Sequence, residues 1–309
     1  MRGRFFFAKI LLFGEYGIIK DCRGLSIPYN FFKGSLHLPE EENDITRTSH
    51  KNLYDYTQYL KGLPSDLVLL DWEALETDLD RKLYFDSSIP QGYGVGSSGA
   101  LVAAIYDRYA VDKISMEEAI ATQKLTEIKR VFANMESFFH GQSSGLDPLN
   151  SYLSLPLLIH SKDKIETTGL PQQNSQGKGV LFLLDTGCSA ETAQMVSLFM
   201  ENMENEGFSK MMREEFVQIT DRCIENFLYG NVKSLFVNMK SLSTLVLKYF
   251  NPMIPSEFHR LWEKGLETNT YYLKLCGSGG GGYMLGFTKD LEAAQEALHG
   301  HRLKVVHYL

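Results

Sequence analysis

A run of glycines and serines, Gly94-Val95-Gly96-Ser97-Ser98-Gly99, lies directly before a segment of helix-forming residues that begins at Ala100. Glycines allow successive backbone N–H groups to point toward one ligand, and the N-terminus of a following helix adds unpaired N–H groups and positive partial charge. Phosphate suits such a site, and the hydroxyls of Ser97 and Ser98 could bind phosphate or join the oxygen shell of Mg²⁺. The loop therefore predicts a phosphate site, with a plain helix-capping turn as the structural alternative.

The same residues match G-x-G-x-x-G, the pattern of dinucleotide-binding loops. That fold requires a hydrophobic strand with a terminal acidic residue after the first helix, whereas here a second helical pattern follows at residues 115–139. The context therefore favours a phosphate ligand over a nicotinamide cofactor. A dehydrogenase or acyl-transfer enzyme that holds its cofactor in this loop is kept as a competing hypothesis.

Two carboxylates and one lysine are candidates for chemistry on such a phosphate. Glu136 lies in the last turn of the predicted helix and Asp147 lies 11 residues later, so two facing helix ends could present them to a metal ion and a substrate hydroxyl. Lys9 is a lone cation in an apolar strand, and a buried lysine requires a carboxylate or a phosphate. The structural alternatives are an N-cap and a surface acid for the carboxylates, and a solvent-facing edge position for Lys9.

A second glycine run, Gly277-Ser278-Gly279-Gly280-Gly281-Gly282, lies between two apolar segments. A flexible linker can have this composition. Because consecutive glycines inside a compact domain cost conformational entropy, we favour a close approach of this backbone to a ligand or to another loop.

The composition excludes several classes of protein. The chain of 309 residues has 31 basic and 38 acidic side chains, and its net charge of −7 argues against a surface that follows nucleic-acid phosphates. No apolar run approaches the ~20 residues of a membrane helix. Lys9 interrupts the apolar run at residues 5–13 and no small-residue cleavage site follows, so we expect a cytoplasmic protein without a signal peptide.

Hydrophobic patterns predict the elements that position these residues. Residues 115–139 predict one long helix with Ser115 as its N-cap. A polar segment at residues 161–179 predicts a linker or long loop, and the length of the chain is typical of two domains. Early strands are predicted at residues 5–14, 24–28 and 34–38.

Three motifs of the chain resemble those of the GHMP small-molecule kinases. They are Lys9-Ile10-Leu11-Leu12-Phe13-Gly14-Glu15-Tyr16, Pro90-x-x-x-Gly94-Val95-Gly96-Ser97-Ser98-Gly99-Ala100 and the glycine run at 277–282. The resemblance spans nearly the whole chain and implies an α+β, two-domain GHMP kinase fold. Residues 1–170 would form a ribosomal-protein-S5-like domain that binds the ATP phosphates and carries the catalytic residues, and residues 171–309 would form a ferredoxin-like α/β-plait domain.

Within this superfamily the region from Glu136 to Asp147 is most similar to mevalonate kinases. By that resemblance Asp147 would deprotonate or orient the attacking hydroxyl, Lys9 would hold Asp147 ionised, and Glu136 with Ser98 would bind Mg²⁺. Ser97 and the amides of residues 94–99 would bind the phosphates of ATP. The implied substrate contacts are Glu15, Tyr16, Thr192, Gly279 and Gly280.

Three positions depart from the mevalonate kinase pattern. Tyr16 and Gly99 stand where His and Ala are usual, and both look more like phosphomevalonate kinases, while Ala190 stands where Arg is expected. The first hypothesis is phosphorylation of mevalonate to 5-phosphomevalonate in isoprenoid biosynthesis. A phosphomevalonate kinase, a GHMP kinase with another acceptor and a catalytically silent nucleotide-binding member follow in that order. The expected partners are ATP and a small alcohol, without nucleic acid or membrane, and a homodimer is left open.

Overall fold

The computed structural model describes residues 3–20, 22–173 and 179–309. The chain divides into two compact units, and each unit is assembled from separate stretches of sequence. The first unit contains Met1–Lys9, Ile27–Gln91 and Gly96–Leu155. The second unit contains Ile10–Ser26, Gly92–Val95 and Pro156–Leu309.

The strands of the described residues form two antiparallel sheets. The first sheet has the order β1-β2-β4-β5 with β3 paired to β2, and the second has the order β7-β8-β6-β9. The strands are β1 (Phe6–Phe13), β2 (Gly24–His37), β3 (Tyr84–Ser87), β4 (Leu157–Ser161), β5 (Lys164–Thr167), β6 (Val180–Asp185), β7 (Tyr271–Leu275), β8 (Tyr283–Thr288) and β9 (Leu303–Tyr308).

Helices make up most of the remaining structure, so the prediction of an α+β fold is confirmed. In the first unit they are α1 (Asp44–Lys61), α2 (Trp72–Asp80), α3 (Ser97–Tyr109), α4 (Met116–Ala121), α5 (Leu125–His140) and α6 (Leu146–Leu153). In the second unit they are α7 (Thr192–Met203), α8 (Glu206–Met211), α9 (Val217–Leu228), α10 (Val232–Tyr249), α11 (His259–Thr268) and α12 (Leu291–Ala297). Among the described residues, no helix is both long and apolar enough to cross a membrane.

Apolar patterns explain the two cores. In the first unit, eight of the 13 residues of α3 are buried, as expected for a helix that is apolar on most of its surface. In the second unit, β6 is a continuous apolar run whose first five residues are buried, and it pairs with β8 on one side and β9 on the other. Such a run is typical of a strand in the centre of a sheet.

Two predicted boundaries are wrong. The segments 24–28 and 34–38 are not separate strands but parts of β2, whose residues 24–26 pair with β4 and residues 34–37 with β3. The predicted long helix at 115–139 is interrupted between α4 and α5, where Gln123 adopts a left-handed backbone conformation with φ of 56°. Its predicted start is confirmed, because the Ser115 hydroxyl accepts a hydrogen bond from the backbone N–H of Glu118.

The segment predicted as a linker, residues 161–179, is only partly irregular. It contains the short strand β5, which pairs with β4. Residues 174–178 of the predicted linker lie outside the described residues.

Candidate active site

Lys9 and Asp147 form an ion pair in the first unit. Strand β1 carries Lys9, whose side chain is 6 % exposed, and the first turn of α6 carries Asp147, whose side chain is 34 % exposed. The distance from Lys9 Nζ to Asp147 Oδ1 is 2.9 Å. Of the two partners predicted for Lys9, a carboxylate or a phosphate, the structure shows the carboxylate, and the solvent-facing alternative is excluded.

The N-terminus of α3 lies directly over this ion pair. Gly96 is the N-cap residue of α3 and has a φ of 80°, and as a glycine it has no side chain to cap the helix. A Cβ atom at Gly96 would lie 2.9 Å from Lys9 Cγ and 3.6 Å from Asp147 Oδ2. A larger residue would press into Lys9, so glycine allows the start of α3 to lie close to Lys9 and Asp147.

Glu136 is the centre of a second polar group in the same unit. It lies in the last turn of α5, and only 3 % of its surface is exposed. The hydroxyl of Ser98 donates to Oε1 at 2.8 Å and the hydroxyl of Ser143 donates to Oε2 at 2.5 Å. Both oxygens of this buried carboxylate thus accept a hydrogen bond, and the alternative of a surface acid is excluded.

The charge of Glu136 is only partly balanced. Burial, and to a lesser extent the charge of Asp147, raise the pKa of Glu136 to about 7, against the lowering effects of Ser143, Ser98 and Lys9. Two carboxylates therefore share one lysine in this part of the site. An additional cation would stabilise the ionised form of Glu136.

Ser98 and Glu136 fit a magnesium ion that shares its coordination shell with a nucleotide. Both supply oxygen, which Mg²⁺ prefers, and their side chains already lie within hydrogen-bond distance. No group of three or more His, Cys, Asp or Glu side chains among the described residues could hold a metal ion.

Two residues that the sequence analysis did not single out belong to the site. His140 Nε2 lies 3.1 Å from Ser98 Oγ. Because the only hydroxyl proton of Ser98 is donated to Glu136, this contact requires the His140 tautomer with its proton on Nε2. The spacing of four residues between Glu136 and His140 places both on one helix face and could have indicated His140. Ser143 reaches Glu136 only through the turn after α5, for which the sequence carries no such signal.

The predicted substrate residues Glu15 and Tyr16 lie in the second unit, where both are buried. Lys274 on β7 forms a buried ion pair with Glu15 and also donates to the carbonyl of Leu275 at 2.8 Å. The hydroxyl of Tyr16 donates to the carbonyl of Ser278 at 2.5 Å. Lys274 was missed, although it is a lone lysine in an apolar strand, the same signal that identified Lys9.

The other predicted substrate residues also lie in the second unit. The backbone N–H of Gly280 donates to the carbonyl of Met253 at 2.6 Å, and a Cβ atom at Gly279 would lie 2.8 Å from the same oxygen. Thr192 is the exposed first residue of α7. Contact of these residues with a substrate stays a prediction.

Comparisons with known proteins identify the fold. No protein-family model matches the chain, and no curated protein matches it by sequence. Among solved structures, L. major mevalonate kinase in complex with R-mevalonate has a TM-score of 0.65 at 15 % identity, over 100 % of this chain and 96 % of that one. Lactococcus lactis galactokinase in complex with galactose has a TM-score of 0.65 at 13 % identity, over 98 % and 92 % of the two chains.

A third structure points the same way. Streptococcus pneumoniae phosphomevalonate kinase in complex with phosphomevalonate and AMPPNP has a TM-score of 0.63 at 12 % identity, over 99 % of this chain and 100 % of that one. All three proteins are GHMP kinases. At these identities the similarity establishes a shared fold.

Proposed function

Because the chain has the GHMP kinase fold, we propose that it transfers the γ-phosphoryl group of ATP to the hydroxyl of a small-molecule alcohol. The observation that carries the proposal is the ion pair of Lys9 with Asp147 under the N-terminus of α3. A carboxylate that is paired with a lysine beside a helix N-terminus has the position of a general base for an attacking hydroxyl, and the helix end could bind the phosphate.

In the proposed reaction, one bond to phosphorus forms and one bond to phosphorus breaks. The alcohol oxygen attacks the γ-phosphorus, the bond from that phosphorus to the bridging oxygen of ADP breaks, and the hydroxyl proton passes to Asp147. Lys9 orients Asp147 through the 2.9 Å contact and offsets the negative charge of the transferred group. Positioning and charge neutralisation carry most of such a reaction, since the transition state requires little covalent chemistry from the protein.

The loop at residues 94–99 would hold the phosphates of ATP. Its glycines present backbone N–H groups, and α3 adds the unpaired N–H groups of its first turn. Ser98 and Glu136 would hold Mg²⁺, which when bound neutralises phosphate charge and orients the γ-phosphoryl group. Ser143 and His140 keep Glu136 and Ser98 in the orientation that this role requires.

For the acceptor we propose mevalonate first and phosphomevalonate second. The resemblance of the region from Glu136 to Asp147 and the similarity to a mevalonate kinase that binds R-mevalonate support the first. Tyr16, Gly99 and the similarity to a phosphomevalonate kinase support the second. A galactokinase among the similar structures adds sugars to the acceptors that must be tested.

The test is ADP release from Mg-ATP with mevalonate, phosphomevalonate, galactose and homoserine offered separately. We expect Asp147→Asn to lower turnover by roughly 10²- to 10⁴-fold, which is the usual contribution of a general base, and to keep its affinity for Mg-AMPPNP. Lys9→Met should lose similar activity. Asp44→Asn is the matched control, because the Asp44 side chain is fully exposed at the start of α1.

Several outcomes would contradict the proposal. Unchanged turnover in Asp147→Asn would refute the base, and wild-type activity in Lys9→Met would refute the role of the ion pair. Nucleotide binding without ADP release for any acceptor would favour the catalytically silent member. A fluorescence titration that detects nicotinamide binding would favour the dehydrogenase hypothesis.

A further inference from the structure

The glycine-rich loop at residues 277–282 of the second unit has an unusual backbone. Five of its six residues have a positive φ, and the exception is Ser278. Glycine has the largest choice of backbone conformations, so contacts from outside the loop must select one of them. Backbone hydrogen bonds with Met253, Cys188 and Thr186 fix Gly280 and Gly282, in the second half of the loop. In the first half, the carbonyl of Ser278 accepts a hydrogen bond from a side chain.

That contact comes from Tyr16. Its hydroxyl donates to the carbonyl of Ser278 at 2.5 Å, while its ring stacks on Phe199 with a centroid distance of 4.6 Å and lies 5.8 Å from the ring of Phe250. Tyr16 has a φ of 60°, a backbone conformation that residues other than glycine rarely adopt. A strained backbone of this kind persists only where surrounding contacts impose it. Here those contacts place the hydroxyl of Tyr16 against the carbonyl of Ser278.

The neighbouring residue fixes the same turn. Glu15 forms its buried ion pair with Lys274, which lies at the end of β7 just before the glycine-rich loop. Burial, and to a lesser extent the charge of Glu15, raise the pKa of Tyr16 far above its ordinary value, so the phenol remains a hydrogen-bond donor. The turn at residues 14–16 thus contacts β7 through Glu15 and the glycine-rich loop through Tyr16.

The glycine-rich loop in turn contacts the start of the predicted phosphate loop. A Cβ atom at Gly94 would lie only 2.3 Å from the carbonyl oxygen of Cys276, and Gly94 has a φ of 75° that suits glycine. One residue earlier, the carbonyl of Tyr93 accepts a hydrogen bond from the N–H of Tyr283 at 3.4 Å. All of these residues belong to the second unit.

We propose that Tyr16 is a positioning residue that fixes the first half of the glycine-rich loop and, through Cys276, the position of Gly94 at the start of the predicted phosphate loop. The nucleotide part of this inference rests on the proposed function, in which residues 94–99 bind ATP. Tyr16 would then act on nucleotide affinity without touching the substrate. A tyrosine in direct contact with the acceptor would instead affect the KM of the acceptor and leave the loop unchanged.

The test compares Tyr16→Phe with Tyr271→Phe. Tyr271 is the matched control, because it is buried in the same unit and its hydroxyl also donates to a backbone carbonyl, that of Leu261, at 2.7 Å. Both variants keep their buried ring, and we expect both to fold. Tyr16→His is a second variant, because its ring does not extend as far as the phenol oxygen.

Two readouts are needed. Hydrogen exchange of residues 277–283 in the ligand-free protein measures the loop itself, and titration with Mg-AMPPNP measures its effect on the nucleotide. We expect about tenfold faster exchange and about five- to tenfold weaker Mg-AMPPNP binding in Tyr16→Phe, since one hydrogen bond is lost. Tyr271→Phe should change neither.

The two readouts separate failure of this inference from failure of the proposed function. If the wild type binds Mg-AMPPNP and Tyr16→Phe changes neither exchange nor affinity, the positioning role is overturned. Faster exchange with unchanged affinity overturns the link to Gly94. Absence of Mg-AMPPNP binding by the wild type refutes the proposed function and the nucleotide part of this inference, and the exchange rates then decide the role of Tyr16 in the loop.

Discussion

Gly99 offers the sharpest test of how the candidate active site is packed. It lies in the first turn of α3, directly against the first turn of α6. A Cβ atom at this position would lie 2.6 Å from the carbonyl carbon of Asp147, 2.7 Å from the nitrogen of Pro148 and 2.9 Å from Asp147 Cβ. Because carbon atoms pack at about 3.5 Å or more, the methyl group of Gly99→Ala must push the closest atom away by about 0.9 Å.

Both the stability and the activity should respond. Overpacking a close contact costs about 1–3 kcal/mol, and we expect the free energy of unfolding to fall by that amount. The displaced atoms belong to Asp147, so its carboxylate moves relative to Lys9 and to the acceptor. A misplacement of about 1 Å can cost roughly 10²-fold in rate, and we therefore expect turnover to fall by about ten- to a hundredfold. This outcome is the reverse of what the mevalonate kinase pattern suggests, since those enzymes usually have Ala at this position.

Urea denaturation and ADP release from Mg-ATP measure the two effects. Gly169→Ala is the control, because no described residue other than its chain neighbours has an atom within 4 Å of a Cβ at that position and its backbone is not left-handed. A Gly99→Ala variant with wild-type unfolding and wild-type turnover would refute the argument that contact with α6 requires glycine here. Loss of stability with unchanged turnover would refute only the effect on Asp147.

Three further predictions concern buried polar groups of the second unit. The hydroxyl of Thr220 is buried and has no hydrogen-bond partner among the described residues. Thr220→Val should therefore raise the free energy of unfolding, measured by urea denaturation, by about 1 kcal/mol, and a decrease would contradict this. Burial lowers the pKa of His307, so the unfolded chain binds more protons below pH 6.5 and stability should fall as the pH decreases through that range. His307→Gln should flatten this dependence in urea titrations at several pH values, whereas the exposed control His299→Gln should retain it. Lys274→Met should lower the free energy of unfolding, measured by urea denaturation, by about 3–5 kcal/mol because it removes the lysine that pairs with buried Glu15. Adding Glu15→Gln should recover part of that loss, and wild-type stability in Lys274→Met would contradict this reasoning.

Elements with strong local patterns could be predicted from the sequence. The apolar run of β6 and the glycine run between β7 and β8 are at the expected positions. The break between α4 and α5 could not be predicted, because Gln123 adopts its left-handed conformation without a glycine or proline to indicate it. The length of β2 was also missed, since its two halves are joined by tertiary pairing with different strands and not by a continuous local pattern.

The charged residues of the site could also be predicted only in part from the sequence. A lysine in an apolar strand predicts a buried partner, and this reasoning identified Lys9 and applies equally to Lys274. The pattern does not say which carboxylate is the partner, because the Glu15 that pairs with Lys274 is 259 residues away along the chain. Long-range partners of this kind follow from the fold, and so the sequence predicts that a pair exists but not its members.

The glycines of the predicted phosphate loop are required for different physical reasons, although they form a single motif. Gly94 is required by the carbonyl of Cys276 in the second unit, and Gly99 by the backbone of Asp147 in the first. Each end of the loop is therefore positioned by its own unit. The residues that act through the two contacts also have different proposed roles. Tyr16 positions the neighbouring glycine-rich loop, and Asp147 is the proposed base. A change at the Gly94 end should consequently appear in nucleotide affinity and a change at the Gly99 end in turnover, because the first contact lies beside the loop that Tyr16 is proposed to position and the second lies at the proposed base.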